Sequence, residues 1–327
     1  MGISLPDSLQ YCHSIAIRLF PAWGEARPVM STNNQNQPRA WACLNGEFMP
    51  AEDAKVSVWD RGFVFGDAVY EVCRIYQSKA WLEEEHFARL ERSLRELEIS
   101  GIDIRGLIDR CHATMQQSKI TEGTLYLQIT RGVAPRAHAF PDPPVKPTEF
   151  IAVRPYDDSK TSIMRQNGVM IHSYPDLRWG RCDVKSTNLL ANCIALEHVK
   201  RKGAFEAALH DTNNLITEAT HSSLLWVING QIQGTPEHDN ILPGCTRLLA
   251  NRLAAKLGMA IESRKISLDD MKKANEVILM GTTIEVMPVT RVDEAVISDG
   301  KPGPVTLALQ KEYQNALQAW LNQQISH

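Results

Sequence analysis

The chain has no Cys-x-x-Cys pair, no His-Glu-x-x-His segment, no internal repeat and no apolar run long enough to span a bilayer. Each absence removes a class of function. Its seven cysteines, Cys12, Cys43, Cys73, Cys111, Cys182, Cys193 and Cys245, are dispersed through 327 residues. An odd, scattered set reads as reduced thiols of a cytoplasmic protein, with neither a disulfide framework nor a zinc site. The histidines lack ligand spacing, so no metal is expected. Charge of one sign is lacking too: 35 Lys plus Arg face 38 Asp plus Glu, for a formal net charge of -3. That balance argues against a general binder of nucleic acid or anionic membrane. No stretch reaches the roughly 20 apolar residues of a spanning helix.

What remains is the composition of a soluble globular protein, 43% hydrophobic and 22% charged, of a length that suggests two domains. Residues 1 to about 40 stand apart. Ile15-Ala16-Ile17 is too short for the apolar region of a signal peptide, and Asp7 sits where such a peptide carries positive charge. Ser31 to Pro38 is a polar tract of disorder-like composition. A poorly ordered extension is expected over 1–40, with translation beginning at Met30 as the preferred reading.

From Trp41 the pattern becomes regular. Asn45-Gly46 closes a hairpin between Trp41–Leu44 and Glu47–Met49. Ala68 to Tyr76 alternates as a strand, with Val69, Glu71, Cys73 and Ile75 on one side. A short strand is expected at Trp81-Leu82, and helices over Glu83 to Leu97 and near 104–117, the first carrying Phe87, Leu90, Leu94 and Leu97 at helical spacing. Strands at Leu125–Thr130 and Phe150–Val153 complete a first domain, 41–154. The second, 155–327, should hold strands near Val169–Ser173, Glu206–His210, Leu215–Glu218 and Leu224–Ile228. Asn229-Gly230 turns the last of these into Gln231–Gln233, and further strands are expected near 261–265 and 276–280. Helices are expected at about 188–202, 246–257 and 304–323. Short strands with interspersed helices indicate an α+β fold.

Several segments offer chemistry. Thr130 to Pro141 ends a strand and presents Arg136 and His138 two residues apart, on one side of an extended backbone. A guanidinium fork and an imidazole converging there suit a carboxylate. Lys185 stands between a strand-like segment and an apolar helix, with Ser186-Thr187 as a cap; a lysine beside a helix start is a candidate nucleophilic amine. Leu242-Pro243-Gly244-Cys245-Thr246-Arg247 opens a helix and offers an anion site of backbone N–H groups and the Thr246 hydroxyl. Gly281-Thr282-Thr283 adds hydroxyls at a strand end, and Arg89 a charge. Glu218, at another strand end, could pair with a protonated pyridine nitrogen. Taken singly, each of these has an ordinary structural reading as a cap, a rim carboxylate or a solvated loop.

Together they resemble the class IV aminotransferases, the fold-type-IV pyridoxal-phosphate enzymes, and within them the D-amino-acid transaminase branch. The resemblance rests on Asp60 to Val72, Glu85 to Leu90, Thr130 to Pro141, Arg178 to Asn188, Thr217-Glu218, Ile241 to Arg247 and Thr282 to Glu285, in family order from about Trp41 almost to the C-terminus. Pro135-Arg136-Ala137-His138 marks the D-specific branch. The resemblance implies a two-domain α+β homodimer with pyridoxal 5'-phosphate between the domains. It makes Lys185 the catalytic lysine that binds the cofactor and carries the proton. It assigns Glu218 to the pyridine nitrogen, Leu242 to the underside of the ring, and Arg89, Cys245, Thr246 and Thr282 to the phosphate. Tyr70, with Arg136 and His138 from the partner subunit, would take the substrate carboxylate. The implied reaction moves the amino group of a D-amino acid such as D-alanine to 2-oxoglutarate or pyruvate. The chain departs from the family at Thr220-His221-Ser222-Ser223, where a serine-rich stretch ending in asparagine is usual, and at Gly281, often serine. These departures bear on rate and cofactor affinity, not on reaction type. The rivals are a branched-chain L-amino-acid aminotransferase or an aminodeoxychorismate lyase on the same fold, and a homologue without catalysis.

Overall fold

The alternation of Ala68–Tyr76 and the two Asn-Gly turns set the frame of the computed structural model, which describes residues 39–237 and 241–323. The expectations for residues 1–38, including the start at Met30, lie outside the described residues. Strands β1 (Trp41–Leu44) and β2 (Glu47–Pro50) form the first hairpin. A five-residue helix α1 (Arg61–Phe65) leads into β3 (Ala68–Tyr76) and β4 (Lys79–Ala80). Helices α2 (Glu83–Glu96) and α3 (Ile104–Ser118) follow, then β5 (Gly123–Thr130) and β6 (Thr148–Pro155). The six strands pair antiparallel in the order β2-β1-β6-β5-β3-β4. One side of β3, Val69, Cys73 and Ile75, packs with Phe87, Leu90 and Leu94 of α2 and Leu107 and Cys111 of α3. Leu90 is fully buried, a contribution of about 2 kcal/mol by area.

Helix α4 (Ser159–Asn167) opens a second group: β7 (Val169–Pro175), α5 (Leu190–Lys200), β8 (Glu206–His210), β9 (Ile216–Ala219), β10 (Ser223–Ile228) and β11 (Gln231–Gly234). It continues through α6 (Cys245–Lys256), β12 (Ile261–Ser263), α7 (Leu268–Met271), β13 (Glu276–Gly281), β14 (Glu285–Val292), β15 (Ala295–Val296) and α8 (Pro304–Gln323). Eight of these strands run β12-β11-β10-β13-β14-β7-β8-β9, with β15 paired to β14. The pairs β11–β12, β14–β7 and β7–β8 are parallel and the others antiparallel, as an α+β fold allows. β10 reads as a continuous apolar run because both its faces are covered. Leu224 and Trp226 enter one core cluster, while Leu225 and Val227 enter another with α6 and α8.

Two local expectations are corrected. The short strand lies at Lys79–Ala80 instead of Trp81-Leu82, because Leu82 takes a left-handed backbone (φ +57°) as the N-cap of α2 and ends the extended run. The helix after Lys185 starts at Leu190, capped by neither Ser186 nor Thr187. Thr187 instead donates to the Gly66 carbonyl (3.1 Å), and Ser186 accepts from the Asn188 backbone (3.4 Å). Neither α4 nor β14 was expected from the sequence.

Candidate active site

Lys185 is placed through its backbone. The segment around Ser186 bridges Val69 of β3: Tyr70 N–H donates to the Lys185 carbonyl (3.0 Å) and Thr187 N–H to that of Ala68 (3.1 Å). On the other flank the Lys185 N–H donates to Ser93 Oγ of α2 (3.3 Å). Arg92 of α2 holds the Asp183 carbonyl and carboxylate, both at 2.8 Å. The lysine is thus pinned between a strand and a helix, and its Nζ lies 4.3 Å from the centre of the Tyr70 ring. With α5 beginning at Leu190, a helix-end field is not what acts on the amine.

Glu218, at the end of β9, is buried and bound by Arg178 Nη1 at 2.5 Å and by the Leu242 N–H at 3.4 Å. Burial pushes its carboxyl above the usual range, and the Arg178 charge works against that shift. Arg178 is itself fixed by a fork on Asp176 (Nε and Nη2, each 2.9 Å), whose Oδ2 also accepts from the Thr217 hydroxyl (2.7 Å). Arg178 stood in a segment carrying the resemblance without a role of its own. Only the fold brings it onto Glu218, 40 residues on.

At the opposite end, α6 begins at Cys245 with Gly244 as an N-cap that makes no side-chain cap bond. The first N–H groups of such a helix have no intrahelical partner and attract anions. A Cβ on Gly244 would stand 2.7 Å from Ser223 Oγ, so the backbone approaches closely here. Arg89, in the second turn of α2, donates from Nη1 to the Pro243 carbonyl (2.9 Å). Thr282 lies in the turn between β13 and β14, and the Tyr156 hydroxyl donates to the Thr283 carbonyl beside it (3.0 Å).

Lys185, Glu218, Arg89, Tyr70, Leu242, Cys245, Thr246 and Thr282 all line one cavity, with a free volume of about 730 Å³ including its mouth. An amine, a buried carboxylate and a helix N-terminus with a neighbouring arginine are the donor set that pyridoxal 5'-phosphate needs for its aldehyde, ring nitrogen and phosphate. The residues present fit that cofactor. His221 also lines the cavity. Its N–H and Nδ1 both reach Glu206 Oε1 (2.7 and 3.0 Å), and Ser222 donates to Oε2 (2.6 Å), so a buried glutamate shapes the loop that departs from the family.

Arg136 and His138 do not line the cavity. Both are exposed and both flank Phe65, with the Arg136 guanidinium 5.4 Å and the His138 ring 5.6 Å from its centre. Their loop is held from beneath. Arg61 donates to the carbonyls of Ala137 (2.7 Å) and Ala139 (3.2 Å), and Arg131 to those of Leu97 and Glu98; both guanidinium groups share Asp67. These anchors carry no pattern in the sequence that separates them from solvated charges.

The sequence matches the family model for class IV amino-transferases over residues 68–292. It is 38% identical over 280 residues to the D-alanine aminotransferase of Staphylococcus epidermidis, covering 84% of this chain and 97% of that one. The D-alanine aminotransferase of Listeria monocytogenes serotype 4b is 34% identical over 276 residues, 83% of this chain and 93% of that one. The branched-chain amino acid aminotransferase of Escherichia coli superposes with a TM-score of 0.78 at 25% identity, over 83% of this chain and 92% of that one. The PLP-bound form of a hypothetical aminotransferase from Mycobacterium tuberculosis gives a TM-score of 0.75 at 19% identity, over 84% and 98%, a likeness of fold alone.

Proposed function

The chain belongs to the class IV aminotransferases, and from that premise we propose which of its residues perform D-amino-acid transamination. It is a pyridoxal-phosphate-dependent D-amino-acid transaminase, moving the amino group of a D-amino acid such as D-alanine to a 2-oxo acid such as 2-oxoglutarate or pyruvate. The observation that carries the assignment of roles is the shared cavity: Lys185 and Glu218 on its walls, Arg89 and the start of α6 also lining it.

When bound, pyridoxal phosphate supplies an electron-withdrawing ring that takes up the charge left on the substrate Cα. Lys185, on the wall of the cavity, would remove the Cα proton of the substrate and return it on the cofactor side. Glu218 would hold the proton on the pyridine nitrogen, with the Arg178 charge opposing protonation of this buried carboxyl. Arg89, Thr246, Thr282 and the Cys245 N–H bind the phosphate, while Leu242 supports the ring. Tyr70, with Arg136 and His138 of the partner subunit, holds the substrate carboxylate. Where that group is clamped decides which Cα–H meets Lys185, and hence the handedness.

The protein is proposed to work as a homodimer. Arg136 and His138 face solvent in their own chain, and Val133 and Phe140 of the same loop are exposed as well, apolar surface that association would cover. The two sheets are proposed as domains 41–154 and 155–327. No helix of the described residues is long and apolar enough to cross a membrane, and the dispersed cysteines favour a cytoplasmic location.

The test is to add D-alanine, and separately L-leucine and L-glutamate, to the loaded protein and follow the visible absorption of the cofactor. A change with D-alanine alone is expected. A response to the L-amino acids alone would move the activity to the branched-chain side and leave Arg136 and His138 as loop residues.

A further inference from the structure

The alternation of β3 sends Tyr70 to the cavity and Glu71 to the opposite, core-facing side. There a carboxylate that is 2% exposed receives the Nε–Nη2 edge of Arg89 in a fork, at 2.7 and 2.8 Å, and His86 Nδ1 at 2.7 Å. A buried charge without a partner is costly, so a glutamate on the core face must be paired. The pair it makes fixes a guanidinium plane. With Nε and Nη2 occupied, Nη1 faces the helix-start loop and binds the Pro243 carbonyl. Arg89 has five N–H groups, of which these bonds use three, and its side chain lines the cavity. We infer that Glu71 is a positioning residue of the phosphate subsite: it holds Arg89 edge-on, so that the cofactor's phosphate meets a preset donor array instead of a mobile side chain. The inference rests on Arg89 binding that phosphate.

Electrostatics alone would point the other way, since Glu71 neutralises Arg89. The three groups together carry a net charge of +1, with His86 held as a cation by the carboxylate. Replacing Glu71 by glutamine leaves Arg89 charged and releases the His86 proton, so the net charge stays at +1. What the substitution removes is the fixed orientation of Arg89.

The experiment measures dissociation constants of pyridoxal phosphate and of pyridoxal, which lacks the phosphate, by fluorescence titration of the cofactor-free protein. Wild type, Glu71→Gln, Glu71→Asp and Arg89→Ala are compared. Glu71→Gln is expected to weaken pyridoxal phosphate roughly tenfold, the worth of one charge-assisted hydrogen bond, and to leave pyridoxal unchanged. Glu71→Asp keeps the charge but is one methylene short of the fork, and is expected to show the same selective loss. It serves where the glutamine variant does not fold. In the Arg89→Ala background, Glu71→Gln should add nothing. Unchanged or tighter pyridoxal phosphate binding by the folded Glu71 variants would overturn the positioning role, as would an equal loss for both ligands. If Arg89→Ala itself does not distinguish the two ligands, the phosphate assignment of Arg89 fails, and this inference with it.

Discussion

Charge placement on single side chains governs the chemistry proposed here. Glu218 is buried, and the Arg178 guanidinium opposes its uptake of a proton. Arg178→Met should therefore let Glu218 protonate, leaving nothing to hold the pyridinium proton. The expected result is a fall in kcat of roughly a hundredfold with little change in KM for D-alanine; a kcat within twofold of wild type would sink the role. His86 gives a pH signature. Burial works against its charged form, but the Glu71 carboxylate outweighs it and pushes the ring from 6.5 up to about 9. A raised histidine contributes stability that is complete below its unfolded value near 6.5 and disappears as pH rises through about 9. Thermal unfolding of the cofactor-free protein should show this loss between pH 7 and 10, on the order of 3 kcal/mol at full amplitude. His86→Gln should flatten that step; an unchanged profile would mean the imidazole is neutral throughout.

Among the elements, the loop bearing Arg136 and His138 depends on how it leaves β5. Gly132 has φ +104° and donates through its Thr130-facing N–H while its carbonyl accepts from Arg61. A Cβ there would stand 2.1 Å from the Lys146 carbonyl oxygen. Gly132→Ala should cost about 2–4 kcal/mol of stability and raise KM for D-amino acids by displacing the loop; a variant with unaltered Tm and KM would show that the backbone accommodates the change. Elements also mark where the sequence was readable. Ala68–Tyr76 and both Asn-Gly hairpins declared themselves through strict alternation and turn chemistry. β14 did not, because Pro288 at its middle reads as a breaker; it fits because β7 joins that strand only from Val289 onward. α4 has no buried residue and so no apolar stripe to read.

At the scale of the whole molecule, the proposed site needs two copies of the chain: Lys185 from one and Arg136 from the other. Mixed dimers test this. Lys185→Ala should abolish transamination while leaving the fold intact, and Arg136→Ala should raise KM for D-substrates strongly. Refolded together in equal amounts, the two variants should regain about a quarter of wild-type activity, because half the dimers are mixed and one of their two sites is complete. No recovery on mixing, with dimers verified by light scattering, would place both residues in one chain's site.

The sequence by itself determined the elements with strong periodicity, and it named the parts of the proposed site, Lys185, Glu218, Arg89 and the start of α6, through residue types in family order. It put Glu71 on the same side of β3 as Val69, Cys73 and Ile75, a side that the structure buries. The partner of its charge was decided by tertiary structure alone. Arg89 on Glu71, Arg178 on Glu218, Tyr70 beside Lys185, and Arg61 and Arg131 sharing Asp67 each join positions 6 to 115 residues apart. Nothing in local spacing selects among the chain's many possible charge pairs. Only packing brings one pair together and removes the water that would otherwise make all of them equivalent.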